Sequence, residues 1–375
     1  MFMDISSEMI HGLLPVYLVA VLGTSALTVG IIEGLAEATA AATKVFSGVL
    51  SDRLGRRKLL ATVGYAMAAL TKPVFPLAPA IEWLVAARFV DRVGKGIRGA
   101  PRDALVADIA PPALRGAAYG LRQALDTTGA FVGPLLAIAL MAATANDFVV
   151  VFWIAVLPAF LAVVTLVLGV EEPARRAGDG VAAAPPLGGA RALGTSFWRV
   201  TALAAVLMIA RVGEPFLVLR AQGLGLPFAL APAVLVAMNV VYALAAFPAG
   251  ALADRVDHRR LLALGLVVLV AADLCLAAAD GFMTAAAGIV LWGLHMALTQ
   301  GLLAALVANA APAALRGTAF GLFNLASGAA LLAGGIGAGA LWDQLGGAGA
   351  FAAGAVLACI ALAGLLVLPP PVAAR

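Results

Sequence analysis

The sequence predicts an all-α membrane protein with twelve transmembrane helices, which form two six-helix bundles related by internal pseudo-symmetry. Of the 375 residues, 63% are hydrophobic and 12% are charged, whereas a soluble domain has about 25% charged residues. Apolar runs of about 20 residues, the length that crosses a hydrocarbon core, follow one another along almost the whole chain. Short segments of the first half also recur in the second half, which indicates a duplicated unit.

Turn residues and charges divide the apolar runs into twelve spans. The first six lie near residues 2–22, 26–49, 59–79, 82–107, 116–141 and 148–170. The other six lie near residues 197–219, 228–252, 261–279, 282–309, 316–340 and 347–369. An even number of crossings predicts that both chain ends lie on the same side of the membrane.

Two separate repeats indicate that a six-helix unit has been duplicated. Residues 110–121 recur as 311–322 at an offset of 201, and residues 48–53 recur as 250–255 at an offset of 202. Internal repeats with a substrate site between them are typical of secondary transporters.

The midpoint of the chain is its only long polar stretch. Residues 171–196 are rich in Ala, Pro and Gly, a composition typical of a flexible linker. We expect this linker to be cytoplasmic and to join an N-terminal six-helix bundle over 1–170 to a C-terminal six-helix bundle over 197–375.

Positively charged residues cluster between alternate spans. These are Arg53, Arg56, Arg57, Lys58, Arg115, Arg175, Arg176, Arg191, Arg255, Arg259, Arg260 and Arg316. The other loops hold little positive charge beyond Lys72 and Arg220. Because positive loops stay in the cytoplasm, both termini are predicted to be cytoplasmic, in a bacterial-type cytoplasmic (inner) membrane. The net charge of +4 lies in these topology determinants, so it does not indicate a nucleic-acid partner.

The loop between spans 2 and 3 reads GVLSDRLGRRK over residues 48–58, and residues 250–260 hold a degenerate copy. It resembles the signature of the major facilitator superfamily between the second and third helices. Its arginines can pair with acids of adjacent helices, so the cluster can hold one packing arrangement and release it; the alternative is a positive-inside anchor with no gating role. The resemblance implies the superfamily fold and transport by alternating access. The gating candidates are Gly48, Asp52, Arg53, Gly55, Arg56, Arg57, Arg102, Asp103, Arg115, Asp254, Arg255 and Arg316.

Spans 4 and 5 are similar to motifs of the superfamily's drug–proton antiporters. In span 4 the matching residues are Leu84, Arg88 and Gly94, whereas Asp91 and Arg92 depart from the motif. In span 5 the match is Gly129, Gly133 and Pro134, without the trailing glycine pair. Glycines four residues apart allow close helix packing. The resemblance implies a proton-coupled exporter that uses the proton gradient as its energy source and needs no cofactor.

Ionisable residues inside membrane spans are costly and are candidate functional groups, and the first half of the chain concentrates them. On span 4, seven charged residues fall within about 140° of arc. Such stripes cannot face lipid, so we expect the acids of spans 1 and 2 to lie opposite the bases of span 4. The glycines and Pro101 of span 4 suggest a locally bent or loosened helix. The proton-coupling candidates are Asp4, Glu8, Glu33, Glu37 and Asp126.

Three interpretations of this charge stay open: a structural salt-bridge network, proton binding and release by a carboxylate, and binding of an anionic substrate by the bases of span 4. Substrate-cavity candidates in the first half are His11, Arg88, Asp91, Arg92, Lys95, Arg98 and Arg122. Candidates in the second half, which is more apolar, are Arg211, Glu214, Asn239, Tyr242, Trp292, His295 and Asn324. The spacing of Arg211 and Glu214 suggests a local pair.

The predicted function is secondary active transport of a small polar or charged molecule, drug or metal chelate by proton antiport. Proton-coupled uptake of a small organic anion or zwitterion is the first alternative, and a sensor or receptor derived from a transporter is the second. The sequence lacks the HExxH, GxSxG and Walker motifs of common enzyme classes, so an enzyme is not expected. We expect a monomer in the lipid bilayer, with a small-molecule substrate and no metal site.

Overall fold

The computed structural model describes residues 1–54, 56–111, 114–172, 192–253, 256–312 and 315–367. Within these ranges, the side chains of Gly48, Val49, Asp52, Arg53, Ala107, Arg115, Gly116, Arg316 and Gly317 are not described. Most side chains of the predicted gating motif are therefore not described, namely those at Gly48, Asp52, Arg53, Gly55, Arg115, Asp254, Arg255 and Arg316. Most of the predicted linker lies outside the described residues too.

The first half consists of helices that follow the six predicted spans. They are α1 (Phe2–His11), α2 (Leu14–Val16) with a π-helical turn over Tyr17–Val21, α3 (Ala26–Leu54), α4 (Arg57–Thr71), α5 (Val74–Leu77), α6 (Ile81–Ile109), α7 (Arg115–Ala143) and α8 (Phe148–Gly169). Spans 1 and 3 are each broken once. The breaks fall next to Pro15 and Pro73, which lack the backbone N–H that a continuous helix needs.

The second half repeats this plan. Its helices are α9 (Thr195–Ala210), α10 (Glu214–Gly223), a 3-10 turn over Phe228–Leu230, α11 (Ala231–Ala253), α12 (His258–Ala278), α13 (Phe282–Ala310) and α14 (Arg316–Val367). α14 contains two spans, since Gly346 has φ 73° and ψ 176° and interrupts the helix. Span 7 is broken between α9 and α10, and Pro215 lies in the first turn of α10, where proline is favoured. The helical fold with twelve spans confirms the predicted architecture.

Among the described residues, nine helical stretches are long and apolar enough to cross a membrane. The last of them, Thr318–Val367, has 50 residues and covers both spans of α14. α6 is not among the nine because it carries too many charges, although its 29 residues exceed the length that a membrane requires. Its charged side chains must therefore be satisfied inside the protein.

The chain forms two compact units. Unit 1 comprises Met1–Leu14 and Leu35–Ala184, and unit 2 comprises Pro15–Gly34 and Pro185–Arg375. α3 thus begins in unit 2 and ends in unit 1. The predicted domain boundaries at 170 and 197 stay a prediction.

Each unit packs its helices in a similar order. In unit 1, α4 packs on α6 and α1 on α7 and α8; in unit 2, α12 packs on α13 and α9 on α14. A Cβ at Gly94 would lie 2.6 Å from the carbonyl oxygen of Gly64. At the equivalent place in unit 2, the imidazole of His295 meets the carbonyl oxygen of Gly265 at 2.8 Å. Both pairs are related by the 201-residue offset, which extends the sequence repeat into the helices between its two motifs.

Candidate functional site

Unit 1 contains a buried charged cluster centred on Asp91 of α6, which is 2% exposed. Its Oδ1 accepts a hydrogen bond from Nζ of Lys72 at 3.0 Å. Its Oδ2 lies 3.4 Å from Nε of Arg92 and 4.0 Å from Nη1 of Arg88. One carboxylate thus faces three cations that are themselves at most 5% exposed, and it is their shared counter-charge.

Lys72, counted above with the loop cations, lies inside span 3 at the break between α4 and α5. It follows the last residue of α4 and is 1% exposed. Besides its bond to Asp91, its Nζ donates to Oγ of Ser7 at 3.1 Å. The apolar stem of a lysine is long enough to reach inward from a helix end, which a loop assignment from sequence cannot show.

Two further contacts join the cluster to α1 and α3. Nη2 of Arg88 lies 2.8 Å from Nδ1 of His11, and Nη1 of Arg92 donates to Oε1 of Glu37 at 3.3 Å. The side chain of Glu37 is 44% exposed. Span 2 therefore does face span 4 at Glu37, whereas Glu33, one turn earlier and 7% exposed, belongs to unit 2.

The remaining bases of α6 differ in their exposure. Lys95 is exposed, whereas Arg98 is 6% exposed with its guanidinium 4.8 Å from the ring centre of Tyr65, a cation–π distance. The helix that carries them runs unbroken from Ile81 to Ile109 with Pro101 inside it, and the predicted local bend or loosening stays a prediction. The glycines of this helix serve close packing, since a Cβ at Gly96 would lie 2.5 Å from Cβ of Thr43.

A second ion-pair cluster lies near the C-terminal end of α6. Arg102 and Arg122 each pair with both Asp103 and Asp126, at 3.1 to 3.3 Å. Arg102 also reaches the hydroxyl of Tyr65 at 3.5 Å. Asp126, a predicted proton-coupling residue, is thus held by two guanidinium groups.

Arg57, from the signature loop, forms an ion pair with Asp108 and donates to the carbonyl oxygen of Ala104 at 3.3 Å. Both partners lie in the last turns of α6. This contact ties the motif to the helix that carries the buried charge, while Arg56 is exposed.

The small residues of span 5 bring α7 against α1. A Cβ at Gly129 would lie 2.6 Å from the carbonyl oxygen of Met1, and one at Gly133 would lie 2.7 Å from that of Ile5. These contacts pack the helix that carries Asp4 and Glu8 against α7, and Pro134 lies buried within α7. The close approach is the one that the spacing predicts.

In unit 2 the predicted residues are more dispersed. Arg211 and Glu214 flank the break between α9 and α10, and the Arg211 guanidinium lies 5.2 Å from the ring centre of Trp292. Trp292 and His295 are fully buried. The half-buried candidates are Asn239, Tyr242 and Asn324.

Sequence reasoning missed Asp273 of α12, which is 0% exposed. It is the only acidic residue in the apolar run 261–279, and that is the signal that could have found it. Neither of its carboxylate oxygens has a hydrogen-bond partner among the described residues.

Unit 2 also holds the start of α3 against α14. Oδ1 of Asp343 accepts a hydrogen bond from the backbone N–H of Ala26 at 2.9 Å, and Oδ2 accepts one from that of Leu27 at 3.1 Å. The first N–H groups of a helix have no partner within it, so this carboxylate acts as a cap from another helix. It borders a cavity of about 470 Å³ that Gln222 also lines.

Replacing Asp343 by alanine should lower the free energy of unfolding by about 0.5–2 kcal/mol, the range for losing a helix cap. Gln222→Ala is the matched control at the same cavity and should change stability little. Thermal unfolding of the purified variants measures both. Equal melting temperatures for Asp343→Ala and the wild type would contradict the capping role.

A duplicated array of long apolar helices with buried charge in its first half is typical of a multi-pass membrane transporter. The sequence profile of the Major Facilitator Superfamily matches residues 1–238 and 200–375. The chain belongs to the Major Facilitator Superfamily and is a secondary transporter, which acts on small molecules in a lipid bilayer.

Relatives and solved structures agree with this assignment. An uncharacterized MFS-type transporter of Methanocaldococcus jannaschii is 29% identical over 97% of this chain and 91% of its own length. The multidrug resistance protein MdtH of Yersinia pestis is 33% identical, over 31% of this chain and 28% of its own. The crystal structure of the nucleoside transporter NupG has a TM-score of 0.78 and 12% identity over 97% of this chain and 96% of its own, a likeness of fold alone.

Proposed function

We propose that this transporter is a proton-coupled exporter, which exchanges protons for a small polar or charged molecule, drug or metal chelate by alternating access. The Glu37–Arg92 pair carries the proposal. Glu37 is a carboxylate with 44% of its side chain exposed, and its contact with Arg92 is 3.3 Å long. We infer that a proton reaches and leaves this group, whereas protonating Asp91 would leave three buried cations without their shared counter-charge.

Antiport requires the proton and the substrate to exclude each other. Coupling between two ligands is reciprocal, so a positively charged substrate group that binds ionised Glu37 displaces the proton, and the proton displaces the substrate. The exposed Lys95 lies one turn beyond Arg92 on the same helix and can bind an acidic group of the same molecule. We therefore expect a substrate with both signs of charge rather than a lipophilic cation.

The partial similarity to a multidrug resistance protein supports export. Uptake by symport is the alternative: if protonation of Glu37 instead freed Arg92 for an anionic substrate, the proton and the substrate would bind together. A sensor derived from a transporter would bind its ligand without moving protons. We also expect a monomer in a bacterial-type cytoplasmic membrane with both termini in the cytoplasm.

Replacing Glu37 by glutamine should abolish proton release upon substrate binding. A thermal-shift screen of the purified protein against amino acids, organic acids, metal chelates and antibiotics selects the substrate. That compound is then added to the protein in weak buffer with a pH-sensitive dye. The wild type should release protons, and Glu37→Gln should release none and bind the compound more weakly by about 1.5–3 kcal/mol, the range for a hydrogen bond to a charged group.

Glu171→Gln is the control, since Glu171 is exposed beyond the end of α8, and it should behave as the wild type. Undiminished proton release by Glu37→Gln would remove Glu37 from the coupling role. Proton uptake by the wild type would favour symport.

A further inference from the structure

Asp273 lies in the core of unit 2 without a compensating group. It is 0% exposed, and no hydrogen bond or ion pair to its carboxylate exists among the described residues. Lone ionisable groups inside a membrane protein are costly and rarely structural. A buried polar group of this kind calls for a physical explanation.

The internal repeat shows which residue of unit 2 occupies the position of the missing ion-pair partner. The 201-residue offset that relates Gly64–Gly94 to Gly265–His295 maps Lys72 onto Asp273 and Asp91 onto Trp292. Unit 1 therefore has a buried lysine and its buried acid, joined at 3.0 Å. Unit 2 has a buried acid at the lysine position and an indole, which carries no charge, at the position of the partner.

Among the residues whose side chains the structure describes, no cation replaces the missing partner of Asp273. The described ionisable groups on α12, on α11, α13 and α14 packed against it, on α10 and at the break before α10 are His258, Arg259, Arg260, Cys275, Arg211, Glu214, Arg220, Tyr242, His295, Asp343 and Cys359. Arg220 donates to the carbonyl oxygens of Leu276, Ala277 and Ala279. Nδ1 of His295 contacts the carbonyl oxygen of Gly265 instead. None of these groups contacts the carboxylate.

An ionised carboxylate in such a place would be uncompensated, and the usual outcome of that penalty is that the group takes up a proton and becomes neutral. In the packed form of unit 2, the cost of an uncompensated charge therefore favours the neutral carboxylic acid at Asp273. Protonation forms the O–H bond of the acid with a proton taken up from the solvent, and ionisation returns that proton to the solvent.

A break in a neighbouring helix offers the route by which this proton can leave. A Cβ at Gly354 of α14 would lie 2.9 Å from Oδ2 of Asp273, 2.8 Å from Cγ2 of Val212 and 3.3 Å from the carbonyl oxygen of Ala210. The carboxylate thus lies beside the interruption between α9 and α10. Broken helices at membrane depth are where transporters bind ions. Movement of α10 about this break would admit water to the acid.

We propose that Asp273 is a proton-binding site of unit 2, neutral while α14 and the break between α9 and α10 are packed beside it and ionised when that break opens. This rests on the proposed proton-coupled function and adds a second proton site to the one at Glu37. Lys72 and Asp91 form the structural counterpart in unit 1, where the charges neutralise each other and no proton is exchanged.

Infrared spectroscopy of the protein in lipid tests the site without any substrate. The wild type at neutral pH should show the carbonyl stretch of a protonated carboxylic acid, and Asp273→Asn, which has the shape of the neutral acid, should lose that band. In heavy water the band should shift as the proton exchanges. A band that survives in Asp273→Asn, or one that never exchanges, would overturn the proposal.

Gly354→Ala keeps Asp273 and tests its surroundings should Asp273→Asn fail to fold. The added methyl group meets the carboxylate, so the band should shift or exchange faster. Gly364→Ala in the same helix is the control, since a Cβ there meets nothing within 4 Å, and its spectrum should equal that of the wild type. Identical spectra for Gly354→Ala and the wild type would contradict the proposed surroundings of the acid.

Proton counting separates the two proposals. Protons moved per substrate should fall in Asp273→Asn relative to the wild type, and an unchanged ratio would overturn the release step at Asp273. If the wild type moves no protons, the proposed function fails, whereas the infrared result still decides whether Asp273 holds a proton.

Discussion

Replacing Asp91 by asparagine should lower the free energy of unfolding of the protein by about 3–5 kcal/mol, the range for removing one partner of a buried ion pair. The carboxylate is 2% exposed and lies within 4.0 Å of Lys72, Arg88 and Arg92. Asparagine keeps the shape but leaves these cations without their shared counter-charge. Thermal or chemical unfolding of the purified protein in detergent measures the loss.

Glu82→Gln is the matched control on the same helix, because Glu82 is exposed, and it should unfold as the wild type does. The double substitution Lys72→Met with Asp91→Leu should recover part of the stability, since an apolar pair can replace a buried ion pair at little cost. Equal stability of Asp91→Asn and the wild type would show that the charged cluster around Asp91 does not stabilise unit 1.

Replacing Gly30 by alanine should destabilise unit 2 by about 1–3 kcal/mol or more, as overpacking does in a tight core. The new Cβ would lie 2.1 Å from the carbonyl oxygen of Gly335 and 3.2 Å from the ring of Phe216. A backbone atom cannot move aside as a side chain does, so the start of α3 must separate from α14. Melting temperature and transport rate should both fall.

Gly250→Ala is the control, because it makes the same substitution at a position where the added methyl group has room. Gly250 is a helical residue of α11, and a Cβ there meets nothing within 4 Å. This variant should gain about 0.5–1 kcal/mol, because alanine favours a helix over glycine. If both variants lost stability equally, the close contact between α3 and α14 would not be the cause.

Hydropathy and the repeat predict most of this fold, because membrane crossings require long apolar helices and a duplicated unit repeats its motifs. Helical spacing also predicts that the charges of α6 share one face. Spacing gives the face of a helix but not the neighbour that faces it. For that reason spacing does not show that Lys72 pairs with Asp91, or that Glu33 and Glu37, one turn apart, belong to different units.

Asp273 was missed for a different reason. Clusters of charged residues indicate intramembrane sites in this sequence, and a single acid in an apolar helix forms no cluster. Asp273 becomes a candidate functional residue because its carboxylate has no partner, and only the packing around α12 shows that. The roles proposed for Glu37, Lys95 and the other candidate residues stay predictions.

The direction of proton movement tests the central claim most directly. Protein is reconstituted in vesicles of equal internal and external pH with a pH-sensitive dye inside, and the compound selected by thermal shift is added outside. Exchange predicts that protons leave as the substrate enters, so the interior becomes alkaline, and that Glu37→Gln abolishes the signal. An interior that becomes acidic would show cotransport, and no pH change during substrate entry would show that protons are not coupled.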